Sequence, residues 1–468
     1  MKVGIIGAGP AGLACGVMLA SKGVEVEVFE SDTAVGGMTK SFELWGQRVD
    51  LGPHRFFSAD KRVNRIWSYF TGKDYVMVDR LTRIYYDKKF FLYPVKAMNA
   101  LGNLGLLSAA ECVFSYLVAQ MKPKGQEKNF EEWVSRRFGY KLYSIFFKTY
   151  SERLWGIPCT ELDADFARQR IKGLNMWEVI RDAVLGGGAQ RHKTLLDRFA
   201  YPKNGAGEPY ENMAEYIKQR GGKIHLSTPV KRVITENKVV TGLELEDGTI
   251  EKLDYVVSTA PFTDLLRSIS ELGEDVYRAA EALTYRNTTL VYLRVEDSDL
   301  FQDNWLYIHD PSVQVGRITN FSNWSPYMKN GSKDTILALE YWSYDEDALW
   351  NMEDDALIAL ARKDLVQTGL VKKDTIRDGY VMRLHQSYPV YDRGYSEKLE
   401  ILQKAADQLE NIAFVGRNGS FKYNNQDHSL LMGMMAAKNI LAGEKKYDLW
   451  TVNTDGEYQE KAKQTLEK

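Results

Sequence analysis

The sequence predicts an α/β fold. A Rossmann-like nucleotide-binding domain is interrupted by an inserted helical domain and by a mixed or antiparallel sheet domain. Three observations carry this. The first thirty residues read as strand, glycine turn, helix and strand. Residues 95–196 have mostly helical periodicity. Residues 288–341 are rich in Thr, Tyr, Val and Trp, the composition of a sheet.

The opening unit comes in a fixed order. Residues 3–6 are a short apolar run, and Gly7, Ala8, Gly9, Pro10, Ala11 and Gly12 follow at once. A helical pattern over 13–21 ends at Gly23, and 24–29 alternate as a second strand closing on Glu30. Gly7 permits the tight turn, Gly9 lets the backbone approach a pyrophosphate, and Gly12 lets the helix pack close to the strand. The helix N-terminus offers unpaired N–H groups to phosphates. Glu30 stands where a carboxylate accepts from ribose hydroxyls. Without these neighbours, the turn would be an ordinary α/β connection. Gly36 and Gly37, followed by Met38, add a second glycine turn. NAD sites usually lack it, whereas flavoproteins of the glutathione-reductase and amine-oxidase type place one beside the pyrophosphate. FAD is therefore the expected cofactor.

A chain of 468 residues exceeds one compact core and implies two or three domains. Its 44% hydrophobic and 26% charged residues suit a soluble globular protein. The formal charge of −2 argues against general binding to nucleic acid or anionic membrane. Cys15, Cys112 and Cys159 form no CxxC, so neither a zinc site nor a disulfide framework is expected, and the chain reads as cytoplasmic. Met1 leads straight into a strand rather than a signal peptide. Residues 101–121 have the length of a membrane span but contain Asn103, Glu111 and Gln120. A central Glu costs about 2.5–3.5 kcal/mol in a bilayer, so a buried or peripheral helix is expected and no integral span.

Further along, Ser58 can cap a helix reaching Phe70, residues 80–86 alternate as a strand, and 87–89 make a hairpin turn. Gly186, Gly187 and Gly188 mark a loop. A new unit begins at 201, with a helix over 210–219 and strands at 223–226, 230–234, 239–245 and 255–259. Residues 411–417 are a strand ending in glycine, a helix covers 430–441, and the tail from Lys445 reads as charged and peripheral. The nucleotide-binding domain is thus expected in three pieces, 1–78, 201–270 and 401–445. The sheet domain takes 79–94 and 271–400, the helical domain 95–200 and the tail 446–468.

Motifs spread from end to end carry a resemblance. They are GPHRFFS at 52–58, FLYP at 91–94, FEEWVSRRFGYKLYSIFFKTYSERLWG at 130–156 and GRITNFSNWSP at 316–326. EYWS at 340–343, SYPV at 387–390, FVGRNGSFKY at 414–423 and NQDHS at 425–429 complete the set. With the fingerprint they make the chain resemble UDP-galactopyranose mutases, its last motifs most like the eukaryotic branch. The resemblance implies an isomerase that interconverts pyranose and furanose nucleotide sugars without net redox. N5 of reduced FAD attacks the anomeric carbon and expels the nucleoside diphosphate. NADPH or another donor supplies the electrons. His54 then takes the place of the histidine near the flavin, and Arg317 that of the arginine pairing with the diphosphate. Tyr341, Tyr388 and Tyr423 match tyrosines near the diphosphate or sugar. Trp155 and Arg417 match active-site positions, and Asn425 one near the sugar. Val230, Gly416 and Arg417 complete the expected cofactor contacts. Bacterial members carry a second, mobile-loop arginine where Gly173 stands here, and Arg170 is the substitute.

Individually these residues have plainer readings. Among 27 tyrosines and 10 tryptophans most serve packing, His54 after a Gly-Pro turn suits a structural bond, and Arg317 suits a strand surface. The alternatives are an FAD-dependent oxidoreductase of the amine-oxidase or desaturase type, a mutase for another nucleotide sugar, and, remotely, a non-enzymatic flavin-binding module. A nucleotide-diphosphate sugar is the expected partner, and self-association into a homo-oligomer stays open.

Overall fold

The computed structural model describes residues 1–93, 97–121, 127–170, 198–297 and 300–453. It shows the predicted α/β architecture with two principal sheets. The first has five strands in the order Ile412–Phe414, Tyr255–Ser258, Lys2–Ile6, Glu25–Phe29 and Lys223–His225. Every neighbouring pair is parallel. Such strands are covered on both faces, so Val3, Ile5, Val26, Val28, Val256 and Val257 are all buried, and Glu27, which alternates with Val26 and Val28, is only 3% exposed.

Helix Pro10–Ala20 starts three residues before the periodicity suggests. Proline suits a first turn, where its missing N–H has no intrahelical partner to lose. The helix lies against Gln426–Ala442 at backbone distance. A Cβ on Gly433 would sit 2.1 Å from the Ala11 carbonyl oxygen, and one on Gly12 would sit 2.1 Å from that of Gly7.

The second sheet has seven strands, ordered Ile376–Pro389, Tyr285–Val295, Thr335–Ser343, Arg317–Asn320, Trp305–Ile308, Thr82–Tyr86 and Lys89–Leu92. Only Trp305–Ile308 and Thr82–Tyr86 pair in parallel, so the sheet is mixed. Its turn at Asp87 and Lys88 has positive φ at both residues, the twist that suits a tight hairpin.

Several local expectations change. Asp60 rather than Ser58 caps helix Lys61–Thr71, accepting from the Arg62 N–H, while the Ser58 hydroxyl accepts from the Asp60 N–H. Residues 198–202 form a strand paired with Tyr75–Asp79. The apolar run 101–121 breaks at Gly105, where φ is +81°, giving Ala97–Leu104 and Leu106–Met121. Among the described residues no helix is long and apolar enough to cross a membrane. The chain after Lys445 turns back onto the body: the Tyr447 N–H bonds Asn439, Lys422 Nζ donates to the Trp450 and Val452 carbonyls, and the Asn453 amide donates to the Tyr423 carbonyl. The Gly186–Gly188 triplet, Gly173 and the side chain of Arg170 lie outside the described residues.

Candidate active site

A cavity of about 750 Å³ runs from the first glycine turn to residues of the mixed sheet, among them Trp305, Tyr307, Arg317 and Tyr388. Its floor is backbone. Gly7, at φ +94°, makes the turn, and the Gly36 N–H donates to the Ala8 carbonyl at 2.9 Å, tying the second turn to the first. A Cβ on Gly37 would lie 3.1 Å from the Gly9 Cα. A Cβ on Gly9 would meet no protein atom closer than 3.8 Å. Packing within the chain therefore does not require glycine at position 9, and a group approaching from the cavity does. Glu30 accepts from the Ala8 N–H at 2.6 Å through one oxygen and from the Asp32 N–H at 2.9 Å through the other, so its carboxylate also braces the turn. Pro10, Ala11, Met38, Val230 and Gly416 line the same part. An open glycine cradle, a helix N-terminus and a strand-end acid fit the pyrophosphate and ribose of a dinucleotide such as FAD.

The other half is side chains. Arg317 and Glu340 are direct cross-strand neighbours, so both project to one face. Arg317 Nε donates to Glu340 at 2.6 Å, and Nη2 donates to the second oxygen. Only 16% of the Arg317 side chain and 2% of Glu340 are exposed. Burial alone would lower the arginine's pKa, but the Glu340 charge overrides it and keeps the guanidinium protonated. Part of the donor fork expected to face a ligand is thus committed to a carboxylate, and Nη1 is the nitrogen outside this pair.

His54 lies beside this pair. Burial, aided by Arg417 and Arg317, pushes its pKa down to about 3, so the ring is neutral at ordinary pH. Its Nε2 sits 3.0 Å from the Leu51 carbonyl. A carbonyl can only accept, so Nε2 carries the proton and Nδ1 is the lone-pair nitrogen. Arg417 joins the halves. It donates to the Asn424 carbonyl at 2.9 Å, the Ser387 carbonyl at 3.3 Å and the Met38 sulfur at 3.6 Å, with its guanidinium 4.9 Å from the Tyr423 ring centre and 5.3 Å from that of Tyr388. Desolvation first, then Tyr423, pushes the Tyr388 phenol up to about 12, so it is a neutral donor. Asn425 and His428 cap helix Gln426–Ala442 reciprocally, and Asn425, Gln426 and Asp427 at that helix's N-terminus line the cavity.

Two expected contacts are not brought here. Tyr341 follows Glu340 on a strand whose side chains alternate, so it projects to the opposite face. There it is buried against Leu357, Ala361 and Leu365, and its hydroxyl donates to Asp364 at 3.3 Å. Trp155 is fully buried behind Tyr388 and Tyr423, with ring centres 6.2 and 6.0 Å away, and backs the wall without lining it. Sequence reasoning missed Glu340, although the EYWS motif contains it, because its role depends on strand register. It also missed Arg55, Arg80, Tyr93, Trp305 and Tyr307 on the far wall.

The profile of the family described as flavin containing amine oxidoreductase matches residues 10–441. The Probable UDP-galactopyranose mutase of Klebsiella pneumoniae is 27% identical over 467 residues, covering 96% of this chain and 97% of that protein. The coproporphyrinogen III oxidase of Staphylococcus aureus is 21% identical over 472 residues, covering 94% and 99%. A crystal structure of reduced UDP-galactopyranose mutase superposes with a TM-score of 0.86 at 21% identity, covering 97% of this chain and 96% of that one. The glycine cradle, the two-sheet architecture and the extent of the match agree: the chain belongs to the flavin-containing amine oxidoreductase family.

Proposed function

We propose that this protein is a flavin-dependent nucleotide-sugar mutase interconverting pyranose and furanose forms, with UDP-galactopyranose and UDP-galactofuranose as the first pair to test. One observation carries the reading: the buried Arg317–Glu340 pair set among Tyr388, Tyr423 and Arg417 in the wall facing the glycine cradle. That wall is cationic and rich in hydroxyl donors, which suits an anionic leaving group. The Klebsiella relative and the reduced-mutase structure support the same reading.

Bound in its reduced form, FAD would supply an electron-rich N5 for attack on an anomeric carbon, with electrons first provided by NADPH or another donor. The chain's own residues do the rest. Arg317 holds the diphosphate, assisted by Tyr388 and Tyr423, and keeps it close after it leaves. Asn425 faces the sugar. His54, neutral with Nδ1 as acceptor, can take a hydrogen bond but brings no charge. The resemblance gives the role of second cation to Arg170, whose side chain lies outside the described residues.

The test is anaerobic incubation of dithionite-reduced protein with UDP-galactofuranose, followed by separation of products. One reduction should support many turnovers. Oxidation of one flavin for each product formed would instead select an oxidoreductase, the reading favoured by the full-length match to coproporphyrinogen III oxidase. Turnover confined to another nucleotide sugar in a panel would keep the reaction and change the substrate.

A further inference from the structure

Helix Leu106–Met121 has two apolar faces. Ala109, Cys112, Tyr116 and Ala119 are buried against the body. At 3.6 residues per turn, the opposite side carries Leu106, Leu107, Phe114, Leu117, Val118 and Met121. These stand in solvent: Leu106 is 92% exposed, Leu107 85%, Met121 84% and Phe114 69%. A contiguous exposed apolar stripe of this kind marks an interaction surface rather than ordinary surface scatter.

Charge identifies the occupant. Between residues 84 and 148 the sequence has ten Lys and Arg against five Asp and Glu, a balance of +5 in a chain whose total is −2. Cations stand along the length of the helix. Lys89 donates to the Asn103 carbonyl just before it, Lys141 pairs with Glu111 near its middle, and Arg136 and Arg137 on the helix packed against it share Glu127. A second copy meeting this face would bring two such cationic segments together, a like-charge arrangement that opposes association. An anionic bilayer satisfies both features: the apolar stripe enters the acyl boundary and the surrounding Lys and Arg meet the headgroups. At about 24 Å by the 1.5 Å rise per residue, the helix suits lying in the surface and falls short of spanning.

We propose that this protein binds anionic membrane surfaces peripherally through the exposed face of helix Leu106–Met121. The overall charge, which argues against such binding, hides the local asymmetry. The buried side of the helix shares a cluster with Ile84, Phe91 and Phe146, against which Tyr93 and Tyr307 of the cavity wall pack. The docked surface is therefore the back of a wall of the cavity. This inference stands apart from the reaction assigned above.

The test is sedimentation of the full-length, flavin-loaded protein with vesicles of phosphatidylcholine alone or mixed with phosphatidylglycerol. The protein should pellet with the mixed vesicles, less so as salt is raised, and much less with phosphatidylcholine alone. Leu107→Glu with Phe114→Glu should lower the bound fraction about tenfold. Flavin content and melting temperature should not change, because both side chains are exposed. Wild-type protein that stays in the supernatant, or a double variant that pellets like wild type, overturns the proposal. So does a double variant that turns a homo-oligomer into a monomer in light scattering while wild-type protein ignores both vesicles, which assigns the face to a second copy.

Discussion

The two halves of the cavity are built from different materials. The cofactor half is backbone: glycine turns, helix N-termini and one acid that braces them, drawn mainly from residues 7–38. The other half is side chains from strands and loops far apart in sequence, held by a buried ion pair and by the Arg417 guanidinium against the rings of Tyr388 and Tyr423. A backbone site tolerates almost any side chain that points away and no side chain that points in. A side-chain site fails by a different route, because removing one partner strands the other in a dry place.

The largest test separates two glycines of the same turn. Gly12→Val puts atoms on top of the Gly7 carbonyl, so no folded protein is expected. Gly9→Val enters open space in the chain and should fold but purify colourless. Absorbance of the flavin and a thermal melt on both variants check this; a yellow Gly9→Val protein would remove the cradle from the cofactor site.

Next is the ion pair. Arg317→Ala leaves Glu340 buried without its partner and should cost about 3–5 kcal/mol of stability, together with turnover and UDP binding. Arg317→Met combined with Glu340→Leu should restore most of the melting temperature and none of the turnover. Recovery of both would make the pair purely structural. Loss of neither in Arg317→Ala would show that the two halves do not differ in the way described.

Acid sharpens the contrast further. His309 is buried and His54 is half-buried in the cavity wall, and both are pushed down to about 3, by desolvation first and then by arginines. Below the ordinary histidine pKa of 6.5, the unfolded chain takes up protons that the folded chain refuses, so stability falls as pH drops through the interval from 6.5 to 3. Denaturant titrations in that interval should show a shallower fall for His309→Gln than for wild type. An equal slope would mean that His309 is charged or exposed when folded.

The smallest effect concerns two tyrosines. Tyr341→Phe loses one long hydrogen bond to Asp364 and should cost about 0.5–1.5 kcal/mol, with turnover unchanged. Tyr423→Phe, in the cavity wall, should instead lower turnover. A Tyr341→Phe enzyme with wild-type stability and impaired turnover would return Tyr341 to the cavity.

Why one half was legible and the other only in part follows from the same contrast. Gly7, Gly9, Gly12 and Glu30 act within one local unit, where spacing alone conveys geometry. Glu340 meets Arg317 only through strand register, which no local pattern carries. Tyr341 came to the expected site through the resemblance alone, with no sidedness read from its strand. Strand Thr335–Ser343 is buried at every position, so its sequence shows no alternation from which sidedness could be read. The break at Gly105 was missed because the apolar run continues across it, and the docking of residues 447–453 because charged composition hid a few specific bonds.

Arg417 has a consequence for how the two halves fill. One guanidinium touches Met38 beside the second glycine turn, Ser387 at the end of the mixed sheet, and the rings of Tyr388 and Tyr423. It cannot be reoriented by a guest in one half without altering the host in the other. Occupancies coupled in this way obey reciprocity: whatever factor a nucleotide applies to flavin retention, the flavin applies to nucleotide affinity. The dissociation constant of the flavin, measured with and without UDP, therefore reads the crosstalk carried by a single side chain.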